Sequence, residues 1–268
     1  MSESIVLDIR NLKSHFFTAK GEVPAVDGVT IQVPPGKIIG IVGESGCGKS
    51  MTAMSVMGLL RYPGRVVEGS ITLDGRDITH LSPRELAKVR GNEISMIFQD
   101  CGGTLNPIRK IGSQYVEYIC THSRASKQEA WNRAVQMLKK MHLPDGEAVM
   151  KSYPHQLSGG MRQRVGIAMA MTFQPRLLLA DEPTSALDVT TQARIVRQMM
   201  ELRRDYQTGI IMVTHNLGVA AYMADKLLIM QNGKVLDQGS TEEVLHNPKS
   251  DYTRKLLAAV PEMEGARF

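Results

Sequence analysis

The spacing of apolar residues divides the chain into three regions. In residues 5–80, short apolar segments alternate with turns: Ile5-Val6-Leu7 comes first, Ile38–Val42 is a continuous apolar run, and Ile71-Thr72-Leu73 leads into Asp74-Gly75. Short apolar segments bounded by turn residues are typical of β-strands. A strand-rich first region is therefore predicted.

Residues 83–155 have mostly helical spacing. The clearest helix follows the capping box Ser126-x-x-Glu129, in which each residue satisfies a backbone N–H of the other. Apolar positions at helical spacing then follow: Trp131, Ala134, Val135, Leu138 and Met141. This stripe predicts core packing, with Trp131 as a core anchor rather than part of a binding site.

From residue 160 onward, apolar strands alternate with helices. Residues 177–180, 210–213 and 227–230 are predicted strands, and Asn232-Gly233 after the last one predicts a hairpin turn. Continuous apolar strands separated by helices favour a mostly parallel sheet covered on both faces. The fold class predicted from the pattern is α/β.

Composition indicates an ordinary globular protein. The chain has 268 residues, 43% of them hydrophobic and 22% charged, which is enough to bury a full core. Its apolar runs fall short of the roughly 18 residues that span a bilayer, and its first residues do not form a signal peptide. We expect a cytoplasmic protein, and any work at a membrane would have to be done through partners. Cys47, Cys101 and Cys120 lack metal-ligand spacing and are expected to be unpaired thiols.

The positive charge is concentrated in the helical region. Residues 84–151 contain 11 lysines and arginines against 7 acidic residues, a difference of +4 out of a net charge of +5. A solvated helical surface explains this excess, and a face near anionic lipid or a permease loop is the alternative. Aromatic residues do not alternate with these charges, so nucleic acid is not an expected partner.

The segment after the first apolar strand has the pattern G-x-x-x-x-G-K-[ST] and precedes a predicted helix that begins near Met51. Its residues are Gly43, Glu44, Ser45, Gly46, Cys47, Gly48, Lys49 and Ser50. Glycines let backbone N–H groups converge on phosphate oxygens, and the helix N-terminus adds positive potential. We expect Lys49 to reach the β- and γ-phosphates of ATP and the Ser50 hydroxyl to ligate Mg²⁺. A chance glycine-rich turn is the alternative.

An acidic pair, Asp181 and Glu182, ends the apolar strand at 177–180. Ligands of open α/β sheets bind at this carboxyl edge. Asp181 is expected to hold Mg²⁺, mainly through water, and Glu182 to act on an attacking water as general base or polariser. Helix capping before Pro183 is the alternative. His215 ends the apolar run 210–214, where its imidazole could bond the γ-phosphate or be purely structural.

A third motif, Leu157-Ser158-Gly159-Gly160-Met161-Arg162-Gln163-Arg164, precedes Glu182 by about 20 positions. Ser158, Gly159 and Gly160 offer a hydroxyl and bare backbone amides at the start of a predicted helix, which is an anion site without a lysine of its own. In this order, the three motifs resemble those of the ATP-binding cassette (ABC) ATPases. The resemblance extends from Ile5 to about Pro261.

The family resemblance implies the architecture and further site residues. Residues 1–260 would form one nucleotide-binding domain of P-loop type. It would have a mixed, mostly parallel core sheet, an N-terminal antiparallel β subdomain and an inserted helical subdomain at about 84–160, with a tail at 261–268. By resemblance, Gln99 would touch Mg²⁺ and the water, His215 would sense the γ-phosphate, and residues 185–188, ending in Asp188, would form the loop that crosses a dimer interface. Asp188 could also simply cap a helix. Phe16 would stack on adenine, with Phe17 as the second candidate and core packing as the alternative.

Within the family, the chain is most similar to ATPase subunits of peptide and nickel importers. Supporting segments are Ala25-Val26-Asp27-Gly28-Val29, Leu105-Asn106-Pro107, 180–189, and Asn247-Pro248 followed by Tyr252-Thr253-Arg254. Cys101-Gly102-Gly103 replaces a bulkier family segment near the expected permease contact, and Asn216 replaces a usual acid. The missing C-terminal extension favours the nickel or metallophore branch.

The resemblance also implies partners and a mechanism. Two such subunits would sandwich ATP, each site combining one phosphate loop with residues 157–161 of the other subunit. We expect a related, different ATPase as the second subunit, although a second copy is possible, together with two integral-membrane permeases and an extracytoplasmic substrate-binding protein. The protein would then lie at the cytoplasmic face of the membrane. A soluble ABC ATPase acting on nucleic acid or the ribosome is the alternative, but 108 positions between Lys49 and Leu157 leave little room for its coiled-coil arms.

Overall fold

Two sheets organise the protein, whose computed structural model describes residues 4–143, 145–185 and 187–259. Among these residues the strands are β1 (Leu7–Thr18), β2 (Gly21–Val33), β3 (Ile38–Val42), β4 (Gly64–Leu73), β5 (Arg76–Asp77), β6 (Ile94–Ile97), β7 (Leu177–Asp181), β8 (Gly209–Thr214), β9 (Lys226–Gln231) and β10 (Lys234–Ser240). One sheet has the order β2-β1-β4-β5 and is antiparallel, and the other has the order β10-β9-β3-β8-β7-β6.

Helices of the same described residues pack against the second sheet or extend away from it. They are α1 (Lys49–Val56), α2 (Pro83–Val89), α3 (Cys101–Thr104), α4 (Ile111–His122), α5 (Lys127–Lys140), α6 (Gly146–Lys151), α7 (Gly159–Met171), α8 (Val189–Tyr206), α9 (Leu217–Met223), α10 (Thr241–His246) and α11 (Asp251–Ala258). Within the residues that the structure describes, none of the helices combines the length and the apolar composition needed to span a bilayer.

The six-stranded sheet is mostly parallel, as predicted. β3 pairs in parallel with both β8 and β9, and β6, β7 and β8 continue in parallel on one side. β10 runs antiparallel to β9 after a tight turn in which Asn232 and Gly233 have φ angles of +49° and +80°. These left-handed values are what an Asn-Gly hairpin turn provides. The predicted hairpin is confirmed.

The core strands are buried on both faces because side chains alternate between two apolar clusters. Along β3, Ile38 and Val42 lie in the cluster shared with the helices, whereas Ile39 and Ile41 lie in the cluster shared with the antiparallel sheet. A strand between two covered faces has no polar face, which is why the sequence shows continuous apolar runs there. The N-terminal antiparallel sheet therefore packs against one face of the parallel sheet.

The region predicted to be mostly helical also contains a core strand. β6 lies inside residues 83–155 and pairs with β7, with Ile97 opposite Ala180. Four residues are too few for apolar spacing to distinguish a strand from a buried helical turn. After β6, the chain is helical from α3 to α6.

Helix α5 has the predicted cap and apolar stripe. Ser126 accepts a hydrogen bond from the Glu129 N–H, and the Glu129 carboxylate accepts one from the Ser126 N–H. Ala134 and Leu138 are fully buried. Trp131, predicted as a core anchor, is only half-buried at the edge of the cluster, because its Nε1 donates to Glu147 Oε1 over 2.9 Å at the surface.

Candidate functional site

The phosphate loop connects β3 to α1, as its motif requires. Gly46 and Gly48 have φ angles of +81° and +107°. A Cβ on Gly48 would lie 2.3 Å from the carbonyl oxygen of Ala25, so a side chain there would clash with backbone. The loop conformation therefore depends on glycine at this position.

Lys49 is buried at the first position of α1, and its ammonium folds back over the loop. Nζ donates to the carbonyl oxygens of Gly43, over 2.7 Å, and Glu44, over 2.8 Å. It also lies 3.8 Å from Cys47 Sγ. A buried ammonium requires acceptors. The loop carbonyls serve this purpose here, and phosphate oxygens could replace them.

Ser50 and Asp181 meet at the carboxyl edge of the sheet. The Ser50 hydroxyl donates to Asp181 Oδ1 over 2.9 Å. Asp181 is the last residue of β7 and is almost fully buried. Burial raises the pKa of Asp181, while the Ser50 hydrogen bond lowers it, the neighbouring Glu182 charge raises it and the Lys49 charge lowers it. Hydroxyl and carboxylate oxygens are donors that fit Mg²⁺.

Glu182 follows Asp181 and turns out of the strand in a left-handed backbone conformation, with φ +49°. Its Oε1 accepts two hydrogen bonds from His215, one from the backbone N–H over 3.0 Å and one from Nδ1 over 2.7 Å. The Glu182 side chain is 11% exposed and that of His215 is 57% exposed. A carboxylate accepts only, so Nδ1 carries the proton and Nε2 is left as an acceptor when the ring is neutral.

Gln99 lies two residues beyond β6 and is exposed. Because Ile97 is opposite Ala180 in the parallel pairing, Gln99 emerges from the same sheet edge as Asp181 and Glu182. The residues predicted from the sequence thus lie at or beyond the carboxyl ends of four strands, β3, β6, β7 and β8: they are Lys49, Ser50, Gln99, Asp181, Glu182 and His215.

The segment around Ser158 forms a separate helix start. Ser158 caps α7 by accepting from the Met161 N–H over 3.2 Å, and Gly159 is exposed. A Cβ on Gly160 would lie 2.5 Å from Thr191 Cγ2, so glycine permits close packing on α8. Among the described residues, no hydrogen bond joins residues 157–161 to the phosphate loop.

Asp188 caps α8, which confirms the capping alternative considered from the sequence. Its Oδ1 accepts from the Thr191 N–H over 2.9 Å, and hydrogen bonds from Thr191 hold its pKa below the ordinary value. Asp188 is close in sequence to Ser185, whose hydroxyl donates to the Glu182 carbonyl oxygen over 3.2 Å. Ala186, in the same predicted interface loop, lies outside the described residues.

The two candidate adenine-stacking rings have different surroundings on β1. Phe16 is half-buried, and its ring packs on Gly64, where a Cβ would lie 2.7 Å from Cε1. Phe17 is more exposed, and the Arg65 guanidinium lies 4.3 Å from its ring centre. One face of Phe17 is therefore already occupied by a cation.

One contact of the loop was not predicted from the sequence. The hydroxyl of Tyr252 on α11 accepts from the Glu44 N–H over 3.1 Å. In the sequence Tyr252 stands out only as part of a family-like segment, because a contact across 208 positions leaves no spacing pattern.

Cys101 has a packing role. The residue starts α3 and is buried against Gly166, where a Cβ would lie 2.7 Å from its Sγ. Burial raises its pKa to about 12. It also lines a cleft of about 350 Å³ between the β6 region and the helices, together with Arg90, Phe98, Leu105 and residues of α4 and α7. The three cysteines, Cys47, Cys101 and Cys120, are free thiols, as predicted.

The chain was compared with known proteins. The ABC transporter family model matches residues 26–185. The chain is 43% identical over 263 residues to the oligopeptide transport ATP-binding protein AppD of Bacillus subtilis, covering 98% of this chain and 80% of that protein. It is 46% identical over 267 residues to the oligopeptide transport ATP-binding protein OppD of Salmonella typhimurium, covering 99% of this chain and 79% of that protein.

A solved structure has the same fold. The dimeric, post-hydrolysis state of the ATP-binding cassette MJ0796 bound to ADP and Pi superimposes with a TM-score of 0.77 at 28% identity. The match covers 88% of this chain and 98% of that one. The α/β architecture with an antiparallel sheet beside a mostly parallel sheet is therefore confirmed.

Proposed function

The chain belongs to the ABC transporter family, and from this premise we propose that it hydrolyses ATP to drive a membrane importer. The observation that carries the proposal is the convergence of Lys49, Ser50, Asp181 and Glu182 at one sheet edge, with Ser50 bonded to Asp181 over 2.9 Å. The AppD and OppD relatives are named as transport ATP-binding proteins, which supports the importer over the soluble alternative.

The phosphate loop would bind the triphosphate of ATP. Backbone N–H groups of residues 45–51 and the N-terminus of α1 supply positive potential for the phosphate oxygens. Lys49 would exchange the Gly43 and Glu44 carbonyls for β- and γ-phosphate oxygens. The exchange keeps the buried ammonium paired throughout. Phe16 would stack on the adenine, since the ring of Phe17 already carries Arg65.

The metal site would use the oxygens of Ser50 and Asp181, with Gln99 close by. The donor set fits Mg²⁺, and its charge would relieve the cost of keeping a buried carboxylate ionised at Asp181. When bound, Mg²⁺ supplies charge neutralisation to the phosphates.

Glu182 would position the attacking water and take its proton. The water oxygen forms a bond to the γ-phosphorus, and the bond from that phosphorus to the bridging oxygen breaks, leaving ADP and phosphate. His215 holds Glu182 through two hydrogen bonds, and its Nε2 would donate to the γ-phosphate only in a ring that carries protons on both nitrogens. Hydrolysis therefore depends on positioning and charge rather than on a covalent intermediate.

Two cassettes would complete each site. Ser158, Gly159 and Gly160 form an anion-binding helix start without a hydrogen bond to this chain's own described phosphate loop. We infer that they bind the γ-phosphate held by the other subunit, with Asp188 at the interface. ATP, but not ADP, provides the γ-phosphate contact, so nucleotide state shifts an open–closed equilibrium. The second subunit would be a related ATPase or another copy of this chain.

The partners in the membrane would be two permeases, supplied with substrate by an extracytoplasmic binding protein. The cleft lined by Cys101, Phe98 and Arg90 adjoins the strand that leads to Gln99, so it offers a permease loop a contact close to the nucleotide site. The protein would work at the cytoplasmic face of the membrane, without contact to nucleic acid.

The proposed cargo is peptide, or alternatively nickel or a metal–metallophore complex. The names of the relatives, oligopeptide transport ATP-binding proteins, favour peptide. The sequence resemblance is to the ATPase subunits of both peptide and nickel importers, so it does not separate the two cargo classes.

The test is reconstitution of the whole complex. The tagged chain is isolated from membranes of its host, and co-purification of two polytopic permeases and a second ATPase is expected. In proteoliposomes with the cognate binding protein, uptake of labelled peptides should require ATP, and labelled nickel serves as the competing cargo. Isolation without any polytopic protein, from membranes in which the complex is expressed, would contradict the importer proposal.

A further inference from the structure

The phosphate loop is tied to the C-terminal helix through one side chain. The Tyr252 hydroxyl on α11 accepts a hydrogen bond from the Glu44 N–H over 3.1 Å. The ring of Tyr252 is half-buried and packs beside the apolar cluster that supports the core helices. Because packing restrains the ring, the hydroxyl is held in place beside the loop.

The backbone N–H and the carbonyl oxygen of Glu44 have different hydrogen-bond partners. Tyr252 holds the N–H, whereas the carbonyl oxygen accepts from Lys49 Nζ over 2.8 Å and from the Cys47 N–H over 3.3 Å. If Lys49 turns to a phosphate, the carbonyl loses its charged donor but the N–H keeps Tyr252. The Tyr252 bond would then hold the start of the loop while Lys49 moves.

The position of Tyr252 is set by a buried carboxylate. Asp237 on β10 is 4% exposed, and its Oδ2 accepts from the N–H groups of Lys249, over 2.7 Å, and Ser250, over 3.2 Å. Ser250 then caps α11 by accepting from the Thr253 N–H over 3.0 Å. Tyr252 lies in this first turn, so β10 fixes where its hydroxyl can reach.

We propose that Tyr252 is a positioning residue of the nucleotide site and that α11 is a structural part of that site. The inference rests on the proposed ATP binding. The bond restrains loop backbone common to all nucleotide states, so its loss should weaken ATP and ADP binding equally and leave the chemical step unchanged. Removal of uniform binding raises KM and leaves kcat intact.

The experiment compares Tyr252→Phe with wild type in the full chain and its complex. A typical hydrogen bond contributes enough that Kd for ATP and for ADP should each rise about threefold to tenfold. The rate at saturating ATP should stay within about twofold. Tyr222→Phe is the matched control, because Tyr222 on α9 is 68% exposed, and it should change neither constant.

A second readout follows the contact without nucleotide. In protein labelled with ¹⁵N-glutamate, exchange of the Glu44 amide hydrogen should accelerate in Tyr252→Phe and not in Tyr222→Phe. If Tyr252→Phe bound ATP and ADP as tightly as wild type, the proposal would be overturned whatever the exchange shows. An unchanged rate of Glu44 amide exchange in Tyr252→Phe would also overturn it. If the wild-type protein bound no ATP, the proposed function would fail instead, and the exchange would still decide whether the contact exists.

Discussion

Glu182 receives two hydrogen bonds from a single residue, His215, through its backbone N–H at 3.0 Å and through its Nδ1 at 2.7 Å. Both bonds end on Oε1 and leave Oε2 available. The left-handed backbone of Glu182 lets the carboxylate turn back toward the end of β8. His215 therefore orients the carboxylate that is proposed to act on water.

Replacing this carboxylate tests its assignment. Glu182→Gln keeps an acceptor for the His215 bonds but loses the proton acceptor, so turnover should fall by more than about 100-fold. ATP should still bind, and the two-subunit complex should accumulate with ATP. Single-turnover hydrolysis and sedimentation in MgATP measure both effects. Turnover within about twofold of wild type would show that the base is misassigned.

Removing the buried charge of Asp181 should stabilise the protein without nucleotide. Burial raises the pKa of Asp181 in the folded state, so folding favours the protonated form. The stabilising contribution is present below the unfolded pKa and is lost as pH rises through the folded pKa. At pH 7 and without Mg²⁺, Asp181→Asn should gain about 1 kcal/mol of unfolding free energy.

Calorimetry at several pH values measures how the stability difference between Asp181→Asn and wild type changes with pH. The advantage of Asp181→Asn over wild type should shrink as the pH is lowered toward ordinary carboxyl pKa values, and MgATP should stabilise wild type more than the variant. Asp205→Asn is the control, because the Asp205 side chain is 57% exposed. An Asp181→Asn protein less stable than wild type at pH 7 would contradict the account of burial.

The thiols should react with iodoacetamide in an order set by their surroundings. Cys120 is half-buried and should react independently of nucleotide, whereas Cys101, buried with its pKa raised to about 12, should stay unmodified. Cys47 is 6% exposed, and its Sγ would lie 2.8 Å from a Cβ on Gly43, so its thiol lies under the loop. Its alkylation should require loop opening and be slowed by MgATP. Mass spectrometry measures the alkylation rate of each cysteine. Equal rates at Cys47 with and without MgATP would contradict its placement under the loop.

Asp188 offers a way to separate helix capping from the proposed interface role. Asp188→Ala removes the cap of α8 and should lower the melting temperature of the protein. Asp188→Asn keeps the cap, since asparagine is as good at this position, but removes the charge. If Asp188 also acts at the dimer interface, the Asn variant should melt at a higher temperature than Asp188→Ala and still lose ATPase activity in the assembled complex. Full activity in a stable Asn variant would restrict Asp188 to capping.

Local motifs made much of the site predictable from the sequence. The phosphate loop, the acidic pair and the helix start at Ser158 are contiguous, and each follows or precedes an element whose apolar pattern is clear. The antiparallel sheet beside the parallel one followed from family resemblance, because strand order leaves no local signature. β6 was difficult to place because only four residues form it.

Long-range contacts could not be read from the chain. The bond between Tyr252 and Glu44 joins residues 208 positions apart, and the anchoring of α11 depends on the buried Asp237 carboxylate, which has no motif around it. The half-exposed position of Trp131 has a similar origin, because its bond partner Glu147 lies on another helix. These features depend on tertiary packing, which periodicity does not report.

We propose that neither cassette has a complete reaction centre by itself. The direct measurement is the ATPase rate per subunit over a wide dilution series, alone and with the co-purified second ATPase, with the monomer and dimer fractions followed by sedimentation. The rate should follow the fraction of paired subunits and vanish in the monomer. A strictly monomeric chain with an undiminished rate at every dilution would contradict it.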